Sequence, residues 1–582
     1  MARKMKKGTI IYLVSSLILA LGGCSEDILT EAPPHIMTAE TIYTTPDGVE
    51  AGLNGLYALA RREREGLTSQ STLIATLMMT GTDNVFSNSK SAMAEPSYNW
   101  LLNNPNARGY SDIFLWLYKT INAANTIIGR AGDPAVEWQG DGNRERVVAE
   151  ARSIRAWAYR HLTYLWGDVP LKLDESSGSN IITDFERSPV NVVRRQMISD
   201  WIFAAGNLGT EPSVEGRMTR GVPMTYLAET YLAMGNPDSA LYWSDLCINE
   251  PAYQLVMNRY GVNRREPGIP FMDMFIPGNS KRTEGNTESL WTIEWEQNVA
   301  GGGDNLMRRE LGGKYDRWSY DSDQGGKSRF AITEARGGKG LGYILPTSYA
   351  LRLYLGSSEG DDFDERGSAF ALARYFILSP GDVISTELNS YYNRSWQLGD
   401  TVWFAPKKGE SAGNPYTSGG YDFDSLVDGR NKNDWPYSRK WAQADPGLPS
   451  GKPQHNDQVY MRLAETILLK AEALVRLNRK EEAATEINKL RTRANSFEVT
   501  STEMSLDFIL EERSRELLME EHRRYTLIRF GGMTFYERTK IYNEDKGLCY
   551  NLTPRDSLLA VPQSVIDANQ TDPMPQNPGF VD

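Results

Sequence analysis

At 582 residues, with 40% hydrophobic and 24% charged side chains, the chain has enough apolar sequence for a large folded core and is not of disordered composition. Its formal net charge of −12 falls to −16 once Arg3, Lys4, Lys6 and Lys7 leave with the first 23 residues. A surface that acidic repels a polyanion on average, which excludes a nucleic-acid-tracking role. Only three cysteines are present, with no zinc-site spacing. Cys24 belongs to the export segment; Cys247 and Cys549 read as buried free thiols, with a disulfide between them as the alternative.

Arg3, Lys4, Lys6 and Lys7 precede an apolar run, Thr9 to Leu21, too short for a comfortable membrane span. Leu21-Gly22-Gly23-Cys24 then has the pattern of a bacterial lipoprotein cleavage site, so residues 1–23 are expected to be a signal peptide and Cys24 the acylated first residue. Several acyl chains on one cysteine give stable anchoring, where a single chain holds only marginally. Ser25-Glu26-Asp27 is similar to the surface-export signal of Bacteroidetes lipoproteins. Residues 24–45 are expected to form the lipidated N-terminus and a tether stiffened by Pro33-Pro34.

Helical periodicity begins after Thr45-Pro46-Asp47, with Val49, Leu53, Leu56 and Leu59 on the buried side. Further helices are expected over Leu115–Ile128 and Arg144–Trp166, the latter stopped by Gly167 and Pro170. An internal repeat follows. Setting Met234-Gly235-Asn236 against Leu477-Asn478-Arg479 aligns Ala228 with Ala471, Tyr231 with Leu474 and Ala240 with Ala483. Both units read as helical hairpins of tetratricopeptide length, which stack into a slab because each buries its neighbour's open face. A further helix near Asp507 buries Ile509, Leu510 and Leu517, and Leu527 follows. The charges Glu512, Arg513, Glu516, Glu520 and Arg523 read as an ion-pair network locking helices together. His161 reads as a packed or surface residue, and none of the four histidines has a neighbouring histidine in sequence.

Residues 250–440 change character. Gly, Asp, Tyr and Trp dominate, Ser289–Trp295 alternates as a short strand, and seven of the fourteen tryptophans lie between Trp291 and Trp441. Aromatics in Gly- and Asp-rich loops are expected to be partly exposed, and exposed aromatics on a rigid scaffold bind ligands.

Three blocks carry a family resemblance: Ala151–Leu171 (A-x-x-x-R-A-x-A-Y…L-W-G-D-V-P-L), Glu512–Gly532 (ERSRELLMEEHRRYTLIRFGG) and the closing segment with Pro562, Ile566, Asn569, Gln576, Asn577, Pro578, Gly579 and Phe580. Together they resemble the SusD/RagB-type nutrient-binding lipoproteins of Bacteroidetes, with Thr526 standing where the family usually has aspartate. The resemblance is weakest over 250–440. It implies a mainly α fold: tetratricopeptide-like hairpins forming a scaffold at 46–250 and 455–582, a loop-rich ligand region at about 250–450 and a few short strands, in one domain spanning 46–582. It implies a lipid-anchored protein on the outer-membrane surface that captures oligosaccharides, delivers them to a SusC-like TonB-dependent transporter and performs no chemistry. Capture of a peptide or glycopeptide is the alternative, and a surface glycosidase a further one.

The catalytic patterns that almost occur support that reading. Gly356-Ser357-Ser358-Glu359-Gly360 matches G-x-S-x-G but is followed by Asp361-Asp362-Phe363-Asp364-Glu365, which would crowd a nucleophile with negative charge. Gly326-Lys327-Ser328 lacks the first glycine of a phosphate loop, with Asp321 in its place. Asp422, Asp424 and Asp428 could hold calcium with loop carbonyls without meeting the EF-hand pattern, and no other cofactor is expected. A pyranose presents a C–H face that stacks on an aromatic plane and hydroxyls that need polar partners at its edge. Tyr315, Trp318 and Tyr320, interleaved with Asp316, Arg317 and Asp321, offer that mixture; Asp83, Asn84, Tyr98 and Trp100 offer a smaller one.

Overall fold

The computed structural model describes residues 42–66, 77–87, 103–107, 109–140, 142–176, 182–317, 329–354, 364–384, 395–404, 435–451, 454–543 and 551–580. Eleven helices of eight or more residues occur among them: α1 (Pro46–Glu65), α2 (Tyr110–Arg130), α3 (Asn143–Trp166), α4 (Val190–Asn207), α5 (Gly221–Ala233), α6 (Pro237–Ile248), α7 (Leu463–Arg476), α8 (Lys480–Arg493), α9 (Leu506–Leu517), α10 (Arg523–Phe530) and α11 (Gly532–Tyr542). Their ends follow local chemistry. Thr45 caps α1 by accepting from the Gly48 amide, with Pro46 at the first helical position; Asn236 and Pro237 do the same for α6, and Ser505 caps α9. Along α1, Val49, Leu53, Leu56 and Ala60 are buried while Leu59 is only half-buried, so the apolar stripe turns one position past the expected Leu59.

Helices pack in sequence order from α1 to α6, and α7 then lies against both α5 and α6 as well as α8 and α9. The two hairpins proposed as a repeat close with the same turn. Gly235 and Asn478 both take a left-handed conformation, at φ 74° and 58°. The Asn236 amide donates to the Tyr231 carbonyl at 2.9 Å, and the Arg479 amide to the Leu474 carbonyl at 2.8 Å. This six-to-one bond over a left-handed residue ends a helix by satisfying its orphan carbonyls, and Asn is the residue after Gly that best tolerates it. The alignment made from sequence therefore superimposes equivalent backbone bonds.

The loop-rich middle contributes four two-stranded antiparallel pairs. Strand β1 (Val85–Ser87) pairs with β3 (Ile344–Pro346), and β2 (Ser289–Ile293) with β8 (Gln458–Arg462). Strand β4 (Leu372–Ala373) pairs with β7 (Tyr437–Ser438), and β5 (Tyr375–Ile377) with β6 (Thr401–Trp403). The β2–β8 ladder ties the middle directly to the start of α7.

Among the described residues two large apolar cores result, with two smaller clusters beside them. The larger one joins α1 to α9 and includes Trp157, Trp166, Trp201 and Trp291. The second lies in the middle and is built from Phe86, Met307, Tyr315, Phe376, Trp396, Phe404, Trp435, Tyr437 and Trp441 with neighbours. This corrects the expectation about the tryptophans. Trp291, Trp295, Trp396, Trp435 and Trp441 are each 6% exposed or less, Trp403 is half-buried, and Trp318 lies outside the described residues. Short strands leave few apolar positions per segment, so the large rings supply the volume of a core that loops must build.

Candidate functional site

The charged side chains on α9 and just beyond its end are structural. Glu516, fully buried, accepts from Arg366 at 2.9 Å and Arg462 at 2.5 Å and pairs with Arg493. Glu512 pairs with Arg366 and Arg491, each at 2.8 Å. Glu520 pairs with Arg462 at 2.8 Å and with Lys440. Glu288 on the strand side receives Arg462 and Arg493, and Asp364 receives Arg366. Burial opposes the charge on these carboxylates, yet the guanidiniums win: Glu516 is held well below the usual carboxylate range and Glu512 is lowered to about 2. Thr526, in the family's aspartate position, donates its hydroxyl to Glu521 at 2.8 Å.

His161 and His522 are brought together in space, with ring centroids 5.4 Å apart. His161 Nδ1 meets the Tyr525 hydroxyl at 2.9 Å and His522 Nε2 meets Glu63 at 2.7 Å; burial lowers both imidazole pKa values. Both are packed core residues. Cys247 is a buried free thiol that burial pushes up to about 12. The closing segment docks as expected: Asn577 donates to the Trp166 and Leu559 carbonyls, and Asn569 to that of Phe185.

The expected ligand residues divide sharply. Asp83 is fully buried and receives Arg523 at 2.7 and 2.8 Å and Arg538 at 2.8 Å. Burial would raise its pKa, and those guanidinium charges instead hold it below the usual range. Asn84 is buried and accepts from the Ser514 hydroxyl at 2.8 Å. Tyr315 is buried, donates to the Gly338 carbonyl at 2.8 Å and packs edge-on against Phe376. All three are committed inside the protein, a correction whose cause is the second core and the ion pairs around α10 and α11. Tyr98, Trp100, Trp318, Tyr320 and Cys24 lie outside the described residues, as do Asp422, Asp424, Asp428 and Cys549.

Three of the larger openings in the described surface have distinct linings. One of about 250 Å³ lies between α1 and β2 beside Tyr57, Arg61 and Trp291. Its polar lining is largely spent: Arg61 donates to Glu65 and to the Glu294 and Gly301 carbonyls, and the Trp291 indole to the Gly216 carbonyl. A second, of about 540 Å³, is an apolar groove along α2 lined by Phe114, Leu115, Tyr118, Phe185 and Met574. The third, of about 240 Å³, is bounded by the 259–276 segment, Glu334, Phe370, Arg439 and Gln443.

The third opening contains the exposed aromatic that the sequence led us to expect, at a different residue. Phe370 is 42% exposed, and no other aromatic between 250 and 450 stands among the exposed large apolar side chains of the described residues. It is fixed by its neighbours. The β4–β7 ladder pairs Leu372 with Ser438, the Arg439 amide donates to the Ala371 carbonyl at 2.7 Å, and Phe370 and Arg439 both line this opening. Ile269 and Met272 line it and pack behind the surface with Phe271 and Met274 in a small apolar cluster. Sequence gave no motif at Phe370; the only signal was its place in an apolar run, Ala369-Phe370-Ala371-Leu372, whose register decides which side chain faces out.

A family model described as the SusD family matches residues 287–580, half of the chain, and a second, described as starch-binding associating with outer membrane, matches residues 33–232. The chain belongs to the SusD family. That is a family of non-catalytic, outer-membrane-associated glycan-binding proteins. Among SusD relatives, the SusD-like protein P2 of Formosa agariphila is 25% identical, covering 99% of this chain and all of the relative. A SusD-like protein of Bacteroides ovatus is 25% identical over half of each chain. The fold is shared with a laminarin-binding SusD-like protein at TM-score 0.63 and 19% identity, covering 92% of this chain and 99% of the other. It is also shared with surface glycan-binding protein A of Bacteroides uniformis at TM-score 0.61 and 17% identity, covering 91% and 99%.

Proposed function

We propose that this SusD-family chain is a lipid-anchored glycan-capture protein of the outer-membrane surface, held by acylated Cys24, which passes intact oligosaccharides to a SusC-like TonB-dependent transporter. The observation that carries the reading is the family match over both halves of the chain, residues 33–232 and 287–580. The interior supports it. The buried carboxylates Asp83, Glu512, Glu516 and Glu520 are each held by arginine or lysine, so they stiffen a frame and are not poised for acid–base work. A frame of stacked hairpins holds loop-borne contacts in place at low reorganisation cost, the condition for binding without chemistry.

The test is an array carrying glycans and peptide pools, probed with the full-length chain in detergent. Binding to glycans with no sugar released on prolonged incubation is the expected result. Retention of peptides alone, or release of reducing ends by the pure protein, refutes the reading. Affinity purification from detergent-solubilised outer membrane is expected to bring down a TonB-dependent transporter in stoichiometric amount. Acyl-chain labelling is expected to be lost in Cys24→Ser.

A further inference from the structure

We propose that the cleft beside Phe370 is a sugar-binding subsite that takes one uncharged pyranose unit. The proposal rests on the glycan-capture reading and names the place and the chemical class.

The argument begins from which polar groups are spent. Arg259 is fully engaged: Nε donates to Asp273 Oδ2 at 2.7 Å, Nη1 to the Glu266 carbonyl at 2.7 Å and Nη2 to the Asn263 carbonyl at 2.8 Å. It is part of the wall. Asp273 is 1% exposed and lines the cleft, and its second oxygen, Oδ1, is buried without any hydrogen-bond partner. A buried carboxylate oxygen left unpaired costs several times what a typical hydrogen bond contributes, so a donor from a ligand has an unusually large return there. Arg439 lines the same cleft half-buried, and its guanidinium has no ion-pair or hydrogen-bond partner among the described residues. By contrast, Arg366, Arg462 and Arg523 each meet two or more carboxylates.

The cleft therefore offers an unspent donor and a hydrophobic ring, with the unpaired Asp273 Oδ1 buried in the wall of the same opening. A pyranose has the complementary set: hydroxyls that both donate and accept, and an apolar C–H face for Phe370. The volume of about 240 Å³ is below the ~300–1,000 Å³ of sites that enclose drug-sized ligands, which suits one ring and not a buried chain. Charge decides the class. Glu266 and Glu334 stand exposed at the rim, and with Asp273 they outnumber Arg259 and Arg439 by one. A uronate or sulfate reaching Arg439 would pass two carboxylates, and like-charge proximity disfavours it.

Calorimetry of the full-length chain in detergent against laminarin, soluble starch, alginate and carrageenan tests this. One of the two uncharged glycans is expected to bind. Phe370→Ala is expected to weaken that binding at least tenfold, Arg439→Gln about fivefold, and Phe370→Trp to retain it, with unfolding midpoints unchanged in all three because these side chains are at the surface. Binding within twofold of the unsubstituted chain in both Phe370→Ala and Arg439→Gln overturns the subsite while leaving glycan capture standing. Binding of alginate or carrageenan alone overturns the uncharged class. Binding of none of the four, together with an empty array, overturns glycan capture itself.

Discussion

Replacing Glu516 by glutamine tests whether the ion-pair network is the clamp between the scaffold and the middle region. The cluster is balanced: Arg366, Lys440, Arg462, Arg491, Arg493 and Arg515 face Glu288, Asp364, Glu511, Glu512, Glu516 and Glu520. Glutamine keeps the shape and removes one negative charge, leaving the cluster with a net buried positive charge. Arg366 still has Asp364 and Glu512, and Arg462 still has Glu288 and Glu520, but Arg493 is left with Glu288 alone. Breaking one partner of a buried pair costs ~3–5 kcal/mol. At a urea slope of about 3 kcal/mol per M, that lowers the unfolding midpoint by roughly 1–2 M. Adding Arg493→Gln restores neutrality, so the double variant is expected to be more stable than the sum of the two singles predicts. A loss below about 1 kcal/mol in the single variant, or strict additivity in the double, would refute the clamp.

The same carboxylates set an acid limit. Glu512 and Glu516 have folded pKa values below the unfolded value, so their stabilisation is complete above about pH 4.5 and is lost as pH falls toward 2; circular dichroism across that window is expected to show the loss. Glu310 behaves oppositely. Burial raises its carboxyl to about 7, so its contribution is favourable below pH 4.5 and is lost as pH rises through 7. Glu310→Gln is expected to raise the unfolding midpoint at pH 8 and leave it unchanged at pH 4; an equal midpoint at pH 8 contradicts the assignment. Cys247, with its thiol near 12, is expected to resist iodoacetamide at pH 8 until denaturant is added, as read by peptide mass spectrometry.

The frame was legible because its signals are local. Helical period, caps at Thr45 and Asn236, and the paired turns at Gly235 and Asn478 are each set by a few adjacent residues. The partners of the charges were less legible. Glu512 and Glu516 stand one helical turn apart, where two like charges repel in an isolated helix. The arrangement is stable only because Arg366, Arg462, Arg491 and Arg493 arrive from other elements. Sequence showed that a network must exist, and local pairing rules could not name its members.

The site was the least legible part, and the reason is physical. Composition predicted aromatics on the surface of the middle region, but a core assembled from two- and three-residue strands has to be filled by large rings. Tyr315, Trp396, Trp435 and Trp441 were drawn inward for that purpose. Asp83 was drawn inward as well, as the carboxylate shared by Arg523 and Arg538, and Asn84 as the acceptor of the Ser514 hydroxyl. What remains outside is fixed by register: pairing Leu372 with Ser438 leaves Phe370 beyond the end of the ladder, in the cleft that Arg439 also lines, and a one-residue slip would reverse which rings face solvent. No pattern in sequence encodes that register, so a ligand surface built on short ladders becomes visible only once partner strands more than sixty residues apart are paired.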